Sequence, residues 1–188
     1  MNRLVRSLDI LKLPYHAQAI ESLGDWAANA RYTATHILNM MDAYPDRPII
    51  QLNADAFIWQ YPELFERGLD CDAAACRMPW GQLANGTIYL SPTASARALI
   101  REYAALVRAN PKLADEQLML DHAIRNLAGS LLFFSLPLEY CWIDDLHRKY
   151  QPTAKPIIEH LQASRERHPS EARQRRRARV DVIKRHLD

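Results

Sequence analysis

The chain has 188 residues, 48% hydrophobic and 24% charged, with a formal net charge of +2. That length suits one domain with a sizeable core, and the longest apolar stretch, 131–138, falls far short of the roughly 20 residues of a membrane span. The near-neutral total hides an asymmetry: residues 165–188 carry nine Lys/Arg and four Asp/Glu, which leaves 15 and 18 of the totals of 24 and 22 to residues 1–164. A mildly acidic body is thus followed by a strongly basic tail. The opening Met1-Asn2-Arg3-Leu4-Val5-Arg6 is periodic, not continuously apolar, and does not read as a signal peptide. Cys71, Cys76 and Cys141 are odd in number and lack zinc-like pairing with histidines, so they read as buried thiols. These features point to a soluble, cytoplasmic protein.

Leu4, Leu8 and Leu11 recur at helical spacing, with Arg3, Arg6, Ser7 and Asp9 between them, and predict an amphipathic helix stopped by Pro14. Residues 15–20 read as a short strand, and Gly24-Asp25 as a turn. Residues 29–44 predict a second helix, with Ile37, Met40, Met41 and Tyr44 on its apolar face and Pro45 beyond its end. The run 47–59 reads as one core strand that ends in polar residues. A single helical turn is expected from Pro62, a strand at 70–77 and a better one at 86–90. Helices follow at 93–109 and 113–127, late strands at 131–134 and 155–160, and a charged helix at 165–187 with Val180, Ile183 and Leu187 as a thin apolar stripe. Alternating helices and strands predict an α/β domain.

Chemistry concentrates where 47–59 runs out in Asn53-Ala54-Asp55. Oxygen ligands at i and i+2 on a sheet edge can reach a divalent cation, Mg2+ or Mn2+, which in turn neutralises a departing phosphate. An ordinary turn opened by Asn and Asp explains the same tripeptide. His160 closes an apolar run and reads either as a ligand or as a satisfied strand-end histidine. Asp115 opens a helix, where N-capping explains it. Gly86 suits a tight turn or close ligand approach. Trp26 and Trp59 offer rings that could stack on a base or fill a core.

Several blocks extend this reading. They are Leu13-Pro14-Tyr15, Glu21-Ser22-Leu23-Gly24-Asp25-Trp26-Ala27-Ala28-Asn29, and Pro48-Ile49-Ile50-Gln51-Leu52-Asn53-Ala54-Asp55-Ala56. Asn85-Gly86-Thr87-Ile88-Tyr89-Leu90, then Asp115-Glu116-Gln117, then the run from Lys155-Pro156-Ile157-Ile158-Glu159-His160 to Arg165 follow in order. Over roughly residues 4–165 the ordered set resembles bacterial nucleotide-diphospho-sugar transferases, of the GT-A-type glycosyltransferase superfamily. The resemblance implies a Rossmann-like mixed sheet flanked by helices, and a nucleotide-diphospho-sugar donor with a divalent metal. It puts the metal-binding Asp-x-Asp on Asn53 and Asp55 and a completing histidine on His160. It puts a carboxylate segment near the sugar on Asp115, Glu116 and Gln117, the sugar and acceptor pocket on Asn85, Gly86 and Thr87, and donor contacts on the stretch from Asn29 to Thr33.

Three departures accompany the resemblance. Asn53 stands where an aspartate is expected, which removes a negative charge from the metal site. Thr33 stands where a lysine is expected, offering a hydrogen bond in place of a charge. Met1 falls directly before or inside the first helix, so the first strand is expected to be missing and a sheet position to lie open. Residues 1–165 therefore read as a GT-A-like domain, truncated or diverged at its N-terminus, and 166–188 as a basic helical tail. The expected activity is metal-assisted sugar transfer to an unknown acceptor. The alternative is a catalytically impaired relative that binds or assembles. In the tail, Arg173, Arg175, Arg176, Arg177, Arg179, Lys184 and Arg185 read either as a solvated helix or as a surface for phosphate on nucleic acid or a membrane. No recognised DNA-binding motif accompanies them, so nucleic acid is not the expected partner.

Overall fold

The computed structural model describes residues 3–24, 26–110, 116–167 and 170–187. Helices and short strands alternate in chain order: α1 (Arg3–Ile10), α2 (Trp26–Ala43), β1 (Ile49–Leu52), β2 (Ala56–Ile58), α3 (Glu63–Glu66), β3 (Ala73–Arg77) and β4 (Leu83–Leu90). Then come α4 (Ala94–Ala109), α5 (Glu116–Asn126), β5 (Phe133–Leu136), α6 (Asp144–His147), β6 (Ile158–His160) and α7 (Glu171–Leu187). The elements form two compact units. A sheet unit comprises Gln18–Gln51 and Glu63–Leu136, and a ribbon unit comprises Met1–Ala17, Leu52–Pro62 and Pro137–Asp188.

The sheet unit holds a four-stranded mixed sheet of order β1-β4-β3-β5, in which β3 runs antiparallel to β4 and parallel to β5. Both central strands are buried along nearly their whole length, as strands covered on two faces must be. Ala73 and Ala75 of β3 keep its side chains short where Ile37 and Met41 of α2, Leu99, Ile100 and Tyr103 of α4, and Leu120 and Ala123 of α5 build the core. Asp72 ties the unit together before β3 begins. One carboxylate oxygen accepts from the Thr93 hydroxyl (2.7 Å) and the other from the Leu132 amide (2.8 Å), while Thr93 in turn N-caps α4 through the Ala96 amide.

The ribbon unit is built on the antiparallel pair β2–β6, with Ala56 opposite His160, Phe57 opposite Glu159 and Ile58 opposite Ile158. Trp142 extends it as an isolated bridge to Glu159. Phe57 and Leu161 pack with Val180 and Ile183 of α7, so the thin stripe foreseen on that helix is its buried face. Helix α1 lies on β2. It ends in a Schellman motif: Lys12 takes a left-handed conformation (φ 54°), its amide bonds the Asp9 carbonyl, and the Leu13 amide bonds the Leu8 carbonyl. Helix α1 thus stops before Pro14 is reached.

Two strand expectations need correction. Residues 47–59 are not one strand: a turn closed by the Ala56 amide on the Asn53 carbonyl (2.9 Å) divides them into β1 and β2, which belong to different sheets. Residues 15–20 form no strand, and Tyr15 and Ile20 stand 46% and 42% exposed, because no neighbouring strand pairs with this stretch. In the sheet, β1 and β5 are the edge strands.

Candidate functional site

The turn that ends β1 hands Asp55 to the ribbon unit. Its carbonyl accepts from the Leu161 amide (3.3 Å), and its Oδ2 accepts from the Ala163 amide (2.7 Å). Gln162, between them, is held left-handed at φ 52°, which brings the Ala163 amide round to the carboxylate. Non-glycine residues adopt that conformation at a cost of order 1–2 kcal/mol, so the surroundings enforce it. The other oxygen, Oδ1, is buried and makes no hydrogen bond among the described residues; it lies 3.6 Å from Nδ1 of His160. His160 is 3% exposed and sits inside β6, opposite Ala56 in the register.

The two groups set each other's charge. Burial opposes the ionised Asp55 carboxyl, but His160, the Ala163 amide and Arg176 hold it below its ordinary value. Burial alone would depress His160, yet Cys141 and Asp55 raise it to about 10. Each group thus favours the charged form of the other against the cost of burial. Cys141, 2% exposed, bears on His160 from the 3-10 turn Leu138–Cys141. No sequence pattern singles it out beyond its being a buried thiol. All three cysteines are indeed buried and free.

Asn53, half-buried, and Trp59 also lie in the ribbon unit; the remaining candidates lie in the sheet unit, apart from Asp115 and the side chain of Trp26, which fall outside the described residues. Asn29 accepts the Leu23 amide (2.9 Å) and donates to the Ser22 hydroxyl (3.4 Å), fixing the approach to α2. Thr33 is half-buried on the same helix. The Asn85-Gly86-Thr87 segment is not a turn. It is a bulge inside β4, since Ala75 pairs with Ile88 while the next residue, Cys76, pairs with Ala84. Asn85 and Glu116, from the bulge and the start of α5, meet at the hydroxyl of Tyr103, whose ionisation is pushed up by burial and by the Glu116 carboxylate. Tyr103, fully buried on α4, was not visible as a polar residue in a helix read only for its apolar period. Gln117 is half-buried one residue on. Nearby on α5, Asp121 is 6% exposed and pairs with Arg77 (3.0 Å) and Arg125.

The basic tail is not simply solvated. Glu159, 1% exposed, receives Arg179 on both oxygens (2.6 and 2.8 Å) and the Trp59 indole N–H (2.7 Å), and Arg179 lies over the Trp59 ring. Trp59 is therefore a packing residue. Glu166 gathers Arg173, Arg176 and Arg177, while Asp145 takes Arg165 and Arg175. With the contact of Lys184 to Asp181, six of the seven tail cations named from the sequence have acidic partners among the described residues.

No family model matches the sequence, and no curated protein does. Among solved structures the chain is similar to a glycosyltransferase involved in glycosylation of the major capsid of PBCV-1. The TM-score is 0.64 at 12% identity, covering 96% of this chain and 87% of that one. Mouse xyloside xylosyltransferase 1, in its apo form, matches at a TM-score of 0.45 and 13% identity, covering 86% of this chain and 71% of that one. The first likeness is one of fold: a mixed α/β architecture shared with a glycosyltransferase. Among the described residues no helix is long and apolar enough to cross a membrane.

Proposed function

We propose that the chain is a glycosyltransferase-like protein that moves a sugar from a nucleotide-diphospho-sugar donor to an acceptor with the help of a divalent metal. The observation that carries this reading is the pair of half-buried Asp55 and buried His160, set at the end of the Asn53-Ala54-Asp55 turn in a fold shared with a glycosyltransferase. The unbonded, buried Oδ1 of Asp55 beside an imidazole nitrogen suits a cation in kind, one hard oxygen and one nitrogen donor. Among the described residues no three His, Cys, Asp or Glu converge on one metal position. Asp55 and His160, with the Asn53 amide assisting, would hold magnesium or manganese, ions that keep water and phosphate oxygens in their remaining positions. Bound there, the ion would neutralise charge on the departing nucleoside diphosphate. Glu116, with Asp115 and Gln117, would position the sugar or acceptor. Asn85, Gly86 and Thr87 would line its pocket, and Trp26, Asn29 and Thr33 would contact the donor. Catalysis would then be mostly positioning and electrostatic stabilisation.

A second reading, a relative that binds or assembles without turnover, is favoured by one specific feature. Cys141 and Asp55, the latter 3.6 Å from Nδ1, raise the proton affinity of His160, so a metal competes with a proton for the imidazole. Titrating manganese with a nucleoside diphosphate while following the melting temperature separates the two. The first reading expects stabilisation of about 1.4 kcal/mol at tenfold the dissociation constant, lost in Asp55→Ala and strengthened in Asn53→Asp. No response at millimolar ligand in either the natural chain or Asn53→Asp would establish the second reading instead.

A further inference from the structure

Helix α7 lies beyond the residues that carry the sequence resemblance, yet it belongs to the ribbon unit that holds Asp55 and His160. Val180 and Ile183 form its buried face and pack with Phe57 and Leu161. Phe57 stands two positions after Asp55, and Leu161 one after His160. Arg176 precedes Val180 by one helical turn on the same face, and its side chain is 12% exposed. Its Nη1 donates to Glu166 (2.6 Å). Glu166 belongs to the 3-10 turn Ala163–Arg167, which packs on α7 and whose first amide is the one bound to Asp55 Oδ2. Arg176 is thus led towards Asp55 along the helix face and through the turn, and its charge is among those that favour the Asp55 carboxylate.

Each of the two groups keeps one polar atom unmet. The Arg176 Nε–H is buried and donates to nothing among the described residues, and Asp55 Oδ1 is buried and accepts from nothing there. A buried N–H left unmet costs stability, the more so on a charged group. Arg173 and Arg177 bond the same Glu166 carboxylate, so one acid answers three guanidinium groups. Glu166 anchors Arg176 and leaves its Nε–H unused. A divalent ion on Asp55 Oδ1 and a phosphate oxygen on that N–H would meet both atoms at once. A diphosphate suits this best, since it can give one oxygen to the ion and another to the guanidinium. Without such an anion the ion and Arg176 are like charges that repel.

We infer that Arg176 is a donor-binding residue, whose guanidinium takes a diphosphate oxygen of the nucleotide held through the metal at Asp55 and His160. The inference rests on the glycosyl-transfer reading, and its test separates the two. Binding of manganese alone to the full chain is read by electron paramagnetic resonance of the free ion. Binding of the manganese complexes of uridine, adenosine and guanosine diphosphate is read by isothermal titration calorimetry. At least one of these diphosphates should bind the natural chain. Arg176→Gln should raise its dissociation constant about tenfold, while manganese alone binds no more weakly, since a repelling cation has gone. Arg176→Lys keeps the charge without the planar fork and should cost about threefold. Arg173→Gln, which removes another partner of Glu166, should change the diphosphate affinity by less than about twofold. A purely structural role for Arg176 would weaken manganese and diphosphate together, and that result would overturn the inference. So would an unchanged diphosphate affinity in Arg176→Gln, the result expected if water alone meets the Nε–H, and the transfer reading would survive it. Where circular dichroism shows Arg176→Gln unfolded, Arg176→Lys decides, and an unchanged affinity there overturns the inference. If none of the three diphosphates binds the natural chain, both the inference and the reading beneath it fall.

Discussion

Ser7 lies among Arg3, Arg6 and Asp9 and reads as part of the polar face of α1, yet it is only 1% exposed. Its hydroxyl donates to the Leu4 carbonyl (2.8 Å) and accepts the Ile58 amide (3.1 Å), so one oxygen serves both a helix and the strand beneath it. Ser7→Ala removes the acceptor and leaves a buried amide without its partner, a loss expected to cost about 1–3 kcal/mol. Urea unfolding monitored by circular dichroism measures it, and a change within about 0.5 kcal/mol would show that the bond adds nothing that water cannot replace. Such contacts were not legible in the sequence, because Ser7 and Ile58 are 51 positions apart and no local period links them. The same limit hid Tyr103 beside Asn85 and Glu116, and Cys141 beside His160. Asp55 and His160 were legible as candidates because each closes an apolar run, a pattern carried by neighbouring residues. Their 3.6 Å approach, by contrast, depends on the β2–β6 register.

Helices were the easier elements to read, since their period and their stops are local. The spacing of Ile37 and Met41 belongs to a single helix and is buried where expected, and Thr93, read as the first residue of its helix, caps α4 from one position outside it. Strands depend on partners elsewhere in the chain. Nothing in the apolar run 47–59 says that its two halves pair with different strands, although Asn53 marks the turn that separates them. Likewise Asn85-Gly86-Thr87 has the composition of a turn, and only the pairing of β4 with β3 makes it a bulge. The end of α1 shows the local case improved by geometry. Pro14 signals a stop, but the Schellman bonds and the left-handed Lys12 terminate the helix first. Glycine takes that conformation without the clash a Cβ introduces. Lys12→Gly is therefore expected to stabilise the chain by up to about 1 kcal/mol, and Lys12→Val to destabilise it, both read as shifts in the unfolding midpoint. A Lys12→Gly chain less stable than its parent would mean that the lysine side chain contributes more than its backbone strain removes.

Different forces stabilise the interior of each unit. The sheet unit buries an extensive apolar core between helices and sheet. The ribbon unit has a smaller cluster around Phe57, Leu161, Val180 and Ile183 and relies on charged contacts that bind α7 to its body. Besides Asp55, three of its groups tie stability to pH in the same direction. Glu166 meets some opposition from desolvation, but Arg177, Arg173 and Arg176 pull it from 4.5 to about 2. Asp144, opposed by burial, is held below its ordinary value by the Trp142 indole (3.1 Å) and Arg148 (2.8 Å). His147, whose Nδ1 accepts the Ile143 amide (3.0 Å), is held down by burial. In each case the unfolded chain binds the proton more readily than the folded one, so stability falls as pH falls. The loss begins below the ordinary histidine value of 6.5 and deepens from 4.5 toward about 2, as Glu166 gives up its three arginines. Acid is therefore expected to loosen the ribbon unit first. Trp142, fully buried against His147 and Asp144, reports on it, and Trp80 reports on the sheet unit. In variants with the other tryptophans replaced by phenylalanine, Trp142 fluorescence should change at a higher pH than Trp80 fluorescence. Glu166→Gln should flatten the acid end of the Trp142 profile while lowering stability at neutral pH, where the three arginines lose their shared carboxylate. Coincident acid transitions at the two tryptophans would instead mean that the units unfold as one cooperative body, with the charged contacts of α7 contributing little to the order in which they yield.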